Sequence, residues 1–220
     1  MGCSMNNKLF STAIAMVALL GCPMVAMAEA PAKGFVHLGL AHGKLADKGT
    51  TYSDGVAIPG GGSKSNEYWP VVLEGGYFVS PHFALQGSIS TPETTHNIPT
   101  GSMAGLPNLG DDQFTNLTFT ATYHPWRGAK ISPYIGAGFI GHITLREQDG
   151  LVKNLHVQST SGTVIQAGFD YSLTSRYGLY FDVKKATYTA KAWGDLGASK
   201  ITATTILDPV IVQAGASWRF

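Results

Sequence analysis

The chain has 220 residues, with 15 Lys and Arg against 14 Asp and Glu, so its formal net charge is +1. This near-neutral balance, without basic runs, argues against a nucleic-acid-binding protein, because contacts with phosphates rely on clustered Lys and Arg. Glycine is frequent and no linker interrupts the chain, which favours one all-β domain over two.

The N-terminal segment has the pattern of a secretory signal peptide. Lys8 precedes an apolar stretch at 9–20, and residues 26–28 (Ala-Met-Ala) are the small residues at which a signal peptidase cuts. We therefore expect residues 1–28 to be removed and residues 29–220 to form a single transmembrane domain.

Both cysteines, Cys3 and Cys22, fall in this expected signal peptide. Its removal would leave no disulfide, thiolate-bound metal or cysteine nucleophile. Residues 19–22 (Leu-Leu-Gly-Cys) also resemble a lipoprotein cleavage site, and cleavage there would leave a lipidated Cys22. No later stretch approaches the roughly 20 apolar residues that a transmembrane helix requires.

Eight segments in the rest of the chain alternate between apolar and small or polar residues, the period of a β-strand with two different faces. Short connections alternate with long ones rich in Gly, Pro, Asn and Asp, which is typical of outer-membrane barrels with tight periplasmic turns and long external loops. The sequence predicts an eight-stranded antiparallel transmembrane β-barrel in the bacterial outer membrane. The predicted strands are 34–45, 67–79, 82–91, 112–124, 132–146, 160–173, 177–190 and 203–220.

Alternation by itself does not distinguish a membrane barrel from a soluble sandwich. Small residues on the inferred inner face, such as Gly136 and Gly168, suit a narrow barrel. Trp218 and Phe220 end the last strand and resemble the signal that the outer-membrane assembly machinery reads. Aromatic residues also gather near the short turns, as amphipathic rings do at a membrane interface. These are Tyr77, Phe83, Tyr123, Trp126, Tyr134, Tyr171, Tyr177 and Trp218.

Several motifs resemble the OmpW family of small outer-membrane channels. They are residues 132–138 (Ser-Pro-Tyr-Ile-Gly-Ala-Gly), 166–171 (Gln-Ala-Gly-Phe-Asp-Tyr), 207–209 (Leu-Asp-Pro) and 215–220 (Gly-Ala-Ser-Trp-Arg-Phe). The resemblance implies an eight-stranded barrel that lets small hydrophobic molecules cross the outer membrane, with sideways release into the lipid as one route.

Few ionisable residues have inward parity, and most of them fall in the periplasmic half. In a lumen only as wide as its side chains these charges should pair, because an unpartnered charge there is costly. The sequence therefore predicts a polar plug, with a selectivity site for an ion or small polar solute as the alternative. Its expected members are Glu74, Asp170, Asp182, Lys184 and Arg219.

The lumen lining departs from what the resemblance implies. Where the family narrows the lumen with a Leu on the third strand and a Trp on the seventh, this chain has Ser88 and Lys184. Either the conduit is wider or more polar, or other residues supply the apolar contacts. The candidate lining residues are Ser88, Phe114, Ile140 and His142, with Leu106 and Leu109 from the second long loop.

A plugged floor would require a solute to leave through the barrel wall. Proline lacks the N–H that a strand ladder needs, so Pro70 and Pro209 are candidates for a wall opening. The alternative is that each proline marks the rim where a strand ends.

Two other function classes stay open, a non-conducting structural or receptor-type barrel and a lipid-modifying enzyme. Catalysis needs a nucleophile, a base and an orienting group within reach of one another, and the histidines are scattered. His37, His82 and His124 lie near the lower rim without carboxylates at metal-ligand spacing. We expect no catalytic residue, metal or cofactor. The expected partners are outer-membrane lipid, small hydrophobic solutes and the assembly machinery.

Overall fold

A computed structural model of the protein describes residues 32–44 and 47–220. The expected signal peptide and the alternative lipidation site at Cys22 lie outside the described residues. In the described part of the chain no helix is long and apolar enough to cross a membrane. The strands are β1 (Gly34–Lys44), β2 (Asp47–Ser53), β3 (Val56–Ala57), β4 (Gly61–Lys64), β5 (Val71–Phe78), β6 (Phe83–Ser90), β7 (Glu93–His96), β8 (Ile98–Gly101), β9 (Gly110–Tyr123), β10 (Ile131–Asp149), β11 (Lys153–Val157), β12 (Thr160–Ser172), β13 (Tyr177–Leu196), β14 (Ser199–Leu207) and β15 (Val210–Arg219).

Eight of these strands close into an antiparallel barrel, which confirms the predicted fold class. In ring order they are β1, β5, β6, β9, β10, β12, β13 and β15. The ring closes where β15 pairs with β1, from Phe35–Arg219 to Lys44–Val210. Closure lets every strand of the ring pair on both sides without a free sheet edge, which is what a strand in a bilayer requires.

The two ends of the barrel differ as the connection lengths predict. The short connections between β5 and β6, β9 and β10, and β12 and β13 lie at one end, here called the lower end. Phe220 also lies there, where its carbonyl accepts a hydrogen bond of 2.9 Å from the Gly34 N–H. The long connections at the upper end contain the remaining strands, including the two-stranded sheet of β4 and β8.

The prediction of one final strand over 203–220 is wrong. The structure has two strands there, β14 and β15, separated by Asp208 and Pro209. Below this break β15 belongs to the barrel ring, whereas above it β14 pairs with β13 and with β2. Side chains continue to alternate between more and less buried positions across the break, so facing does not reveal it.

The outer face of the barrel is apolar. Its lower edge carries exposed aromatic rings, among them Tyr77, Phe83, Trp126 and Trp218. Tyr134 does not belong to this belt, because its parity directs it into the lumen, where it is 2% exposed. Such a band meets lipid in membrane barrels. Side chains more than 40% exposed include Leu38, Leu40, Leu73, Leu85, Ile89, Phe119, Ile135, Phe139, Ile165 and Leu179.

The core lies inside the barrel and has two layers of different chemistry. Toward the lower end the buried inward side chains are mostly charged or polar, including Glu74, Gln86 and Asp182. Toward the upper end an apolar cluster fills the lumen. Its members are Ala41, Tyr68, Val72, Phe114, Ile140, Val164, Ala186, Tyr188, Leu207 and Ile211.

Candidate functional site in the barrel lumen

Three of the five expected plug residues form an ionic contact across the lower lumen. Lys184 Nζ on β13 donates to Glu74 Oε2 on β5 at 3.0 Å and to Asp182 Oδ1 at 2.9 Å. Each of these three residues is at most 2% exposed. Because β1 and β15 lie between β5 and β13 in the ring, the contact crosses the lumen rather than following the wall.

His37 joins this network, although the sequence pattern did not place it there. Its Nδ1 lies 3.1 Å from Glu74 Oε1 and its Nε2 lies 3.0 Å from Asp170 Oδ1. A carboxylate only accepts hydrogen bonds, so both ring nitrogens must donate and the ring carries a positive charge. The ring also stacks on Tyr180, with centroids 4.2 Å apart. The sequence signal for this position was parity: His37 lies two residues after Phe35 on β1, so both face the lumen, and both are buried.

Arg219, the fifth expected member, lies at the edge of the network. Its Nη1 donates to Ser172 Oγ at 2.6 Å, and its charge acts on Asp170 without a direct ion pair. The ionic network is therefore defined as Glu74, Asp170, Asp182, Lys184 and His37, with Arg219 beside it. Counting Arg219, three carboxylates face three cations.

Amide and hydroxyl groups surround the ionic network. Gln166 Nε2 donates to Gln86 Oε1 at 2.6 Å, and Thr122 Oγ1 lies 3.0 Å from His124 Nε2. Several buried polar atoms have no partner among the described residues, which is typical of a polar space that admits water. They include Gln86 Nε2, Gln166 Oε1, Tyr180 OH and Gln213 Nε2.

Three of the four candidate lining residues meet in the upper lumen. Phe114 and Ile140 are each 1% exposed and belong to the apolar cluster. His142 packs on Phe114, with ring centroids 4.2 Å apart, and its Nδ1 lies 3.1 Å from Asn116 Oδ1. Tyr68 contacts the Phe114 ring edge-on at 5.3 Å. The cluster separates the lower polar lumen from the space above it.

The remaining candidate, Ser88, lies apart from this cluster. Its Oγ lies 2.5 Å from Thr118 Oγ1 on the neighbouring strand. Lys184, at the other position that departs from the family pattern, belongs to the ionic network. The apolar contacts of the lumen therefore come from other residues, chiefly Phe114 and Ile140.

A cavity of about 110 Å³ lies above the apolar cluster. Its walls come from β9, β11, β13 and β14 and from the loops at the upper end. Leu109 lines it as the sequence suggests, whereas Leu106 is 43% exposed. Its polar lining includes Asp112, Thr95 and Asn97. The apolar lining residues are Leu109, Phe114, Val152, Leu155, Val157, Ala190, Ala192, Trp193, Ile201, Ala203 and Leu207.

Pro70 and Pro209 both lie immediately before a barrel strand. The Pro70 carbonyl accepts from Ala41 N at 2.9 Å, and the Pro209 carbonyl accepts from Ala186 N at 3.1 Å. Each proline therefore removes one ladder bond while its own carbonyl stays paired. Above Pro209 the sheet continues, because β14 pairs with both β13 and β2.

Strand pairing in the barrel wall changes above Pro70, toward the upper end. The last hydrogen bonds between the β5 and β6 segments join Val71 and Thr91, at 2.8 and 3.0 Å. Above them, Tyr68 pairs with Gly43 of β1, whereas β7 pairs with β9. We call this division, between residues 66–70 and β7, the seam.

Side chains rather than a backbone ladder bridge the seam. The His96 N–H donates to Asn66 Oδ1 at 2.8 Å, and the Glu93 carboxylate accepts from the Trp69 N–H. Burial raises the pKa of Glu93 above its usual value. Trp69 is 63% exposed beside the seam and stacks on His42, as an aromatic at a membrane interface would.

The upper rim carries carboxylates with polar partners. Asp111 Oδ1 lies 2.9 Å from His96 Nδ1, and Glu147 Oε1 lies 3.0 Å from His156 Nδ1. The backbone N–H of Leu155 donates to Asp149 and lowers the pKa of that carboxyl. Across residues 32–44 and 47–220, no group of three or more His, Cys, Asp and Glu side chains is arranged to hold a metal ion.

The chain is similar to known outer-membrane proteins. The model of the OmpW family matches residues 35–220. The uncharacterized outer-membrane protein y4mB of Sinorhizobium fredii is 26% identical over 165 residues, 74% of this chain and 71% of y4mB. Outer membrane protein AlkL of Ectopseudomonas oleovorans is 23% identical over 144 residues, 66% of this chain and 63% of AlkL. The crystal structure of outer membrane protein OprG from Pseudomonas aeruginosa has a TM-score of 0.81 at 20% identity, covering 86% of this chain and 96% of OprG.

Proposed function

Since the chain belongs to the OmpW family, we propose that this outer-membrane barrel is a channel for small hydrophobic molecules that enter from the upper end. The family match also confirms the resemblance read from the sequence motifs and the location in the bacterial outer membrane. The observation that carries the proposal is the apolar cavity of about 110 Å³ above a lumen floor of paired charges.

In this proposal the ionic network is a plug. Lys184 holds Glu74 and Asp182 from one side, and His37 links Glu74 to Asp170 from the other. An apolar molecule gains nothing by replacing these contacts, because breaking a buried ion pair leaves an uncompensated charge. The lower lumen therefore rejects the molecules that the upper cavity accepts.

The exit that fits this arrangement is sideways, through the seam. Thr95 on β7 lines the cavity, as does Ser65, which directly precedes residues 66–70 on the other side of the seam, so a molecule in the cavity lies next to the seam. Separating the seam breaks side-chain contacts, whereas separating any paired barrel strands breaks a backbone ladder. We place the opening beside Pro70 and propose no opening at Pro209, where β14 continues the sheet.

The proposal assigns no catalytic role. His142, the inward histidine nearest the cavity, has Asn116 and Tyr188 as its hydrogen-bond partners. Neither is a serine or threonine nucleophile, nor a carboxylate that would orient the ring as a base. A non-conducting barrel differs from a channel in transport rather than in fold, so an uptake measurement decides between them.

Uptake of an apolar fluorescent dye into liposomes tests the channel. Ala203 lines the cavity, and its neighbour on β14, Thr204, is exposed on the opposite face. We expect the purified protein to accelerate dye uptake, Ala203→Phe to abolish most of the acceleration, and Thr204→Phe to retain it. Uptake no faster than in protein-free liposomes would refute the channel and favour a non-conducting barrel.

A reversible cross-link tests the exit. In the double variant Asn66→Cys/His96→Cys, a disulfide would replace the contact that now joins these residues across the seam. We expect oxidised protein to lose apolar dye uptake and reduction to restore it, with cross-linking measured by mass. Unchanged uptake in the fully cross-linked protein would place the exit elsewhere without refuting the channel.

A further inference from the structure

The cavity contains one buried carboxylate, Asp112. This residue lies on the inward face of β9, above Phe114, and is 6% exposed. It lies above the outward apolar band, which on β9 begins at Leu117. Its Oδ1 accepts hydrogen bonds from Thr95 Oγ1 at 3.0 Å and from Asn97 Nδ2 at 2.9 Å. Its Oδ2 accepts neither of them.

In the described part of the chain, none of the charges that act on Asp112 is a cation. Within the described part of the chain, none of the side chains that line the cavity is a Lys or an Arg. The charged groups that act on it are two acids, Asp111 and Glu147, and each of these has its own histidine partner. Burial raises the pKa of Asp112, and the two acids add to the effect.

This contrasts with the lower lumen, where each carboxylate of the ionic network faces a cation. Removing one member of a buried ion pair is strongly unfavourable. A buried carboxyl without a cationic partner is held toward its neutral form, so a cation placed beside it gains an ion pair that the protein itself does not supply. The walls around it are apolar, with Val152, Leu155 and Trp193 among them. A molecule that fits both features has an apolar body and a single cationic donor group.

We infer that the cavity selects, among small apolar molecules, those that carry an ammonium group, which binds Asp112 Oδ2 while the apolar walls bind the body. This inference rests on the proposed function and names the preferred substrate class of the same cavity. An ammonium donates to the carboxylate in a charge-assisted hydrogen bond. A fatty-acid carboxylate of equal length meets repulsion at the same place.

The test measures binding of three ligands of equal chain length, n-octylamine, n-octanol and octanoate, to protein in zwitterionic lipid nanodiscs. The variant is Asp112→Asn, which keeps the Oδ1 acceptor for Thr95 and Asn97 but removes the charge. The matched control is Asp111→Asn, the adjacent residue on β9 with its side chain directed away from the cavity lining.

We expect octylamine to bind the unchanged protein about tenfold more tightly than octanol, and octanoate to bind most weakly. Asp112→Asn should remove the preference for octylamine and leave octanol affinity within about twofold, whereas Asp111→Asn should keep the preference. Equal affinities for octylamine and octanol, or a preference that survives in Asp112→Asn, would overturn the inference. In both of these outcomes apolar binding persists, so the proposed channel stands; binding of none of the three would refute the cavity as a binding site altogether.

Discussion

The lower and upper halves of the lumen are built by the same strands but have opposite chemistry. On β13, Asp182 and Lys184 belong to the ionic network, whereas Tyr188 belongs to the apolar cluster and Ala192 lines the cavity. Strand period decides which residues face inward, while depth along the strand decides their environment. Charges are tolerated in the lower half because they are paired there; in the upper half Asp112 is unpaired.

The largest expected effect comes from removing Lys184, the cation that Glu74 and Asp182 share in the lower lumen. Lys184→Met leaves Glu74 and Asp182 buried without their shared partner, which should lower the free energy of unfolding by about 3–5 kcal/mol. Urea unfolding of the folded barrel in lipid vesicles measures this loss. Lys185→Met, the adjacent residue on the outer face, removes one hydrogen bond to the Asp208 carbonyl and should cost only about 1 kcal/mol. Equal losses in the two variants would contradict the paired-charge description.

The next effect concerns the boundary between the two halves. Phe114→Ala removes a ring that contacts Tyr68 and His142, and the resulting space should lower the free energy of unfolding by about 3 kcal/mol. We also expect higher ion conductance in planar bilayers, since the apolar cluster separates the cavity from the polar lumen. Phe119→Ala, on the same strand but 59% exposed, should conduct like the unchanged protein. If both variants conducted alike, the cluster would not be the barrier.

His37→Leu sharpens the comparison within the lower half. It leaves Glu74 and Asp170 without the donors they now share, at an expected cost on the order of 2 kcal/mol in unfolding free energy. The same substitution at His42, which lies on the same strand and contacts exposed Glu67, should cost far less. Equal urea midpoints for the two variants would remove His37 from the network.

The smallest effect is expected at the exposed rim, where charge acts locally. Backbone N–H groups of Leu155 and Asn154 hold the pKa of Asp149 below its usual value. The stabilisation that these hydrogen bonds give to the folded rim is therefore present above the unfolded-state pKa of Asp149. It is lost as the pH falls through the lower folded-state pKa. Amide exchange at Leu155 should accelerate in acid relative to other amides of the same strand, and Asp149→Asn should remove that dependence. A loss of the whole barrel over the same pH range would show that the rim is not independent.

The sequence determined the facing of the strands, because facing depends on local alternation along each strand. It determined the barrel through the alternation of short and long connections and the aromatic residues near the short turns. Residues 71–78 show this most clearly, since Leu73 and Tyr77 face outward and Glu74 faces inward, as parity predicts. Parity also directed Asp182 and Lys184 into the lumen. Closeness to a short turn, rather than parity, assigned Tyr134 to the aromatic belt, and the structure buries it in the lumen as its parity indicates.

Only the tertiary structure decided which inward residues meet. His37, Glu74 and Asp170 come from three strands, and their contact depends on the stagger between those strands, which local alternation does not encode. The same holds for the seam and the cavity, which form where long connections fold into further strands and the pairing changes from one neighbour to another. Periodicity describes a single strand, whereas a site in a closed barrel depends on how distant strands are aligned around the ring.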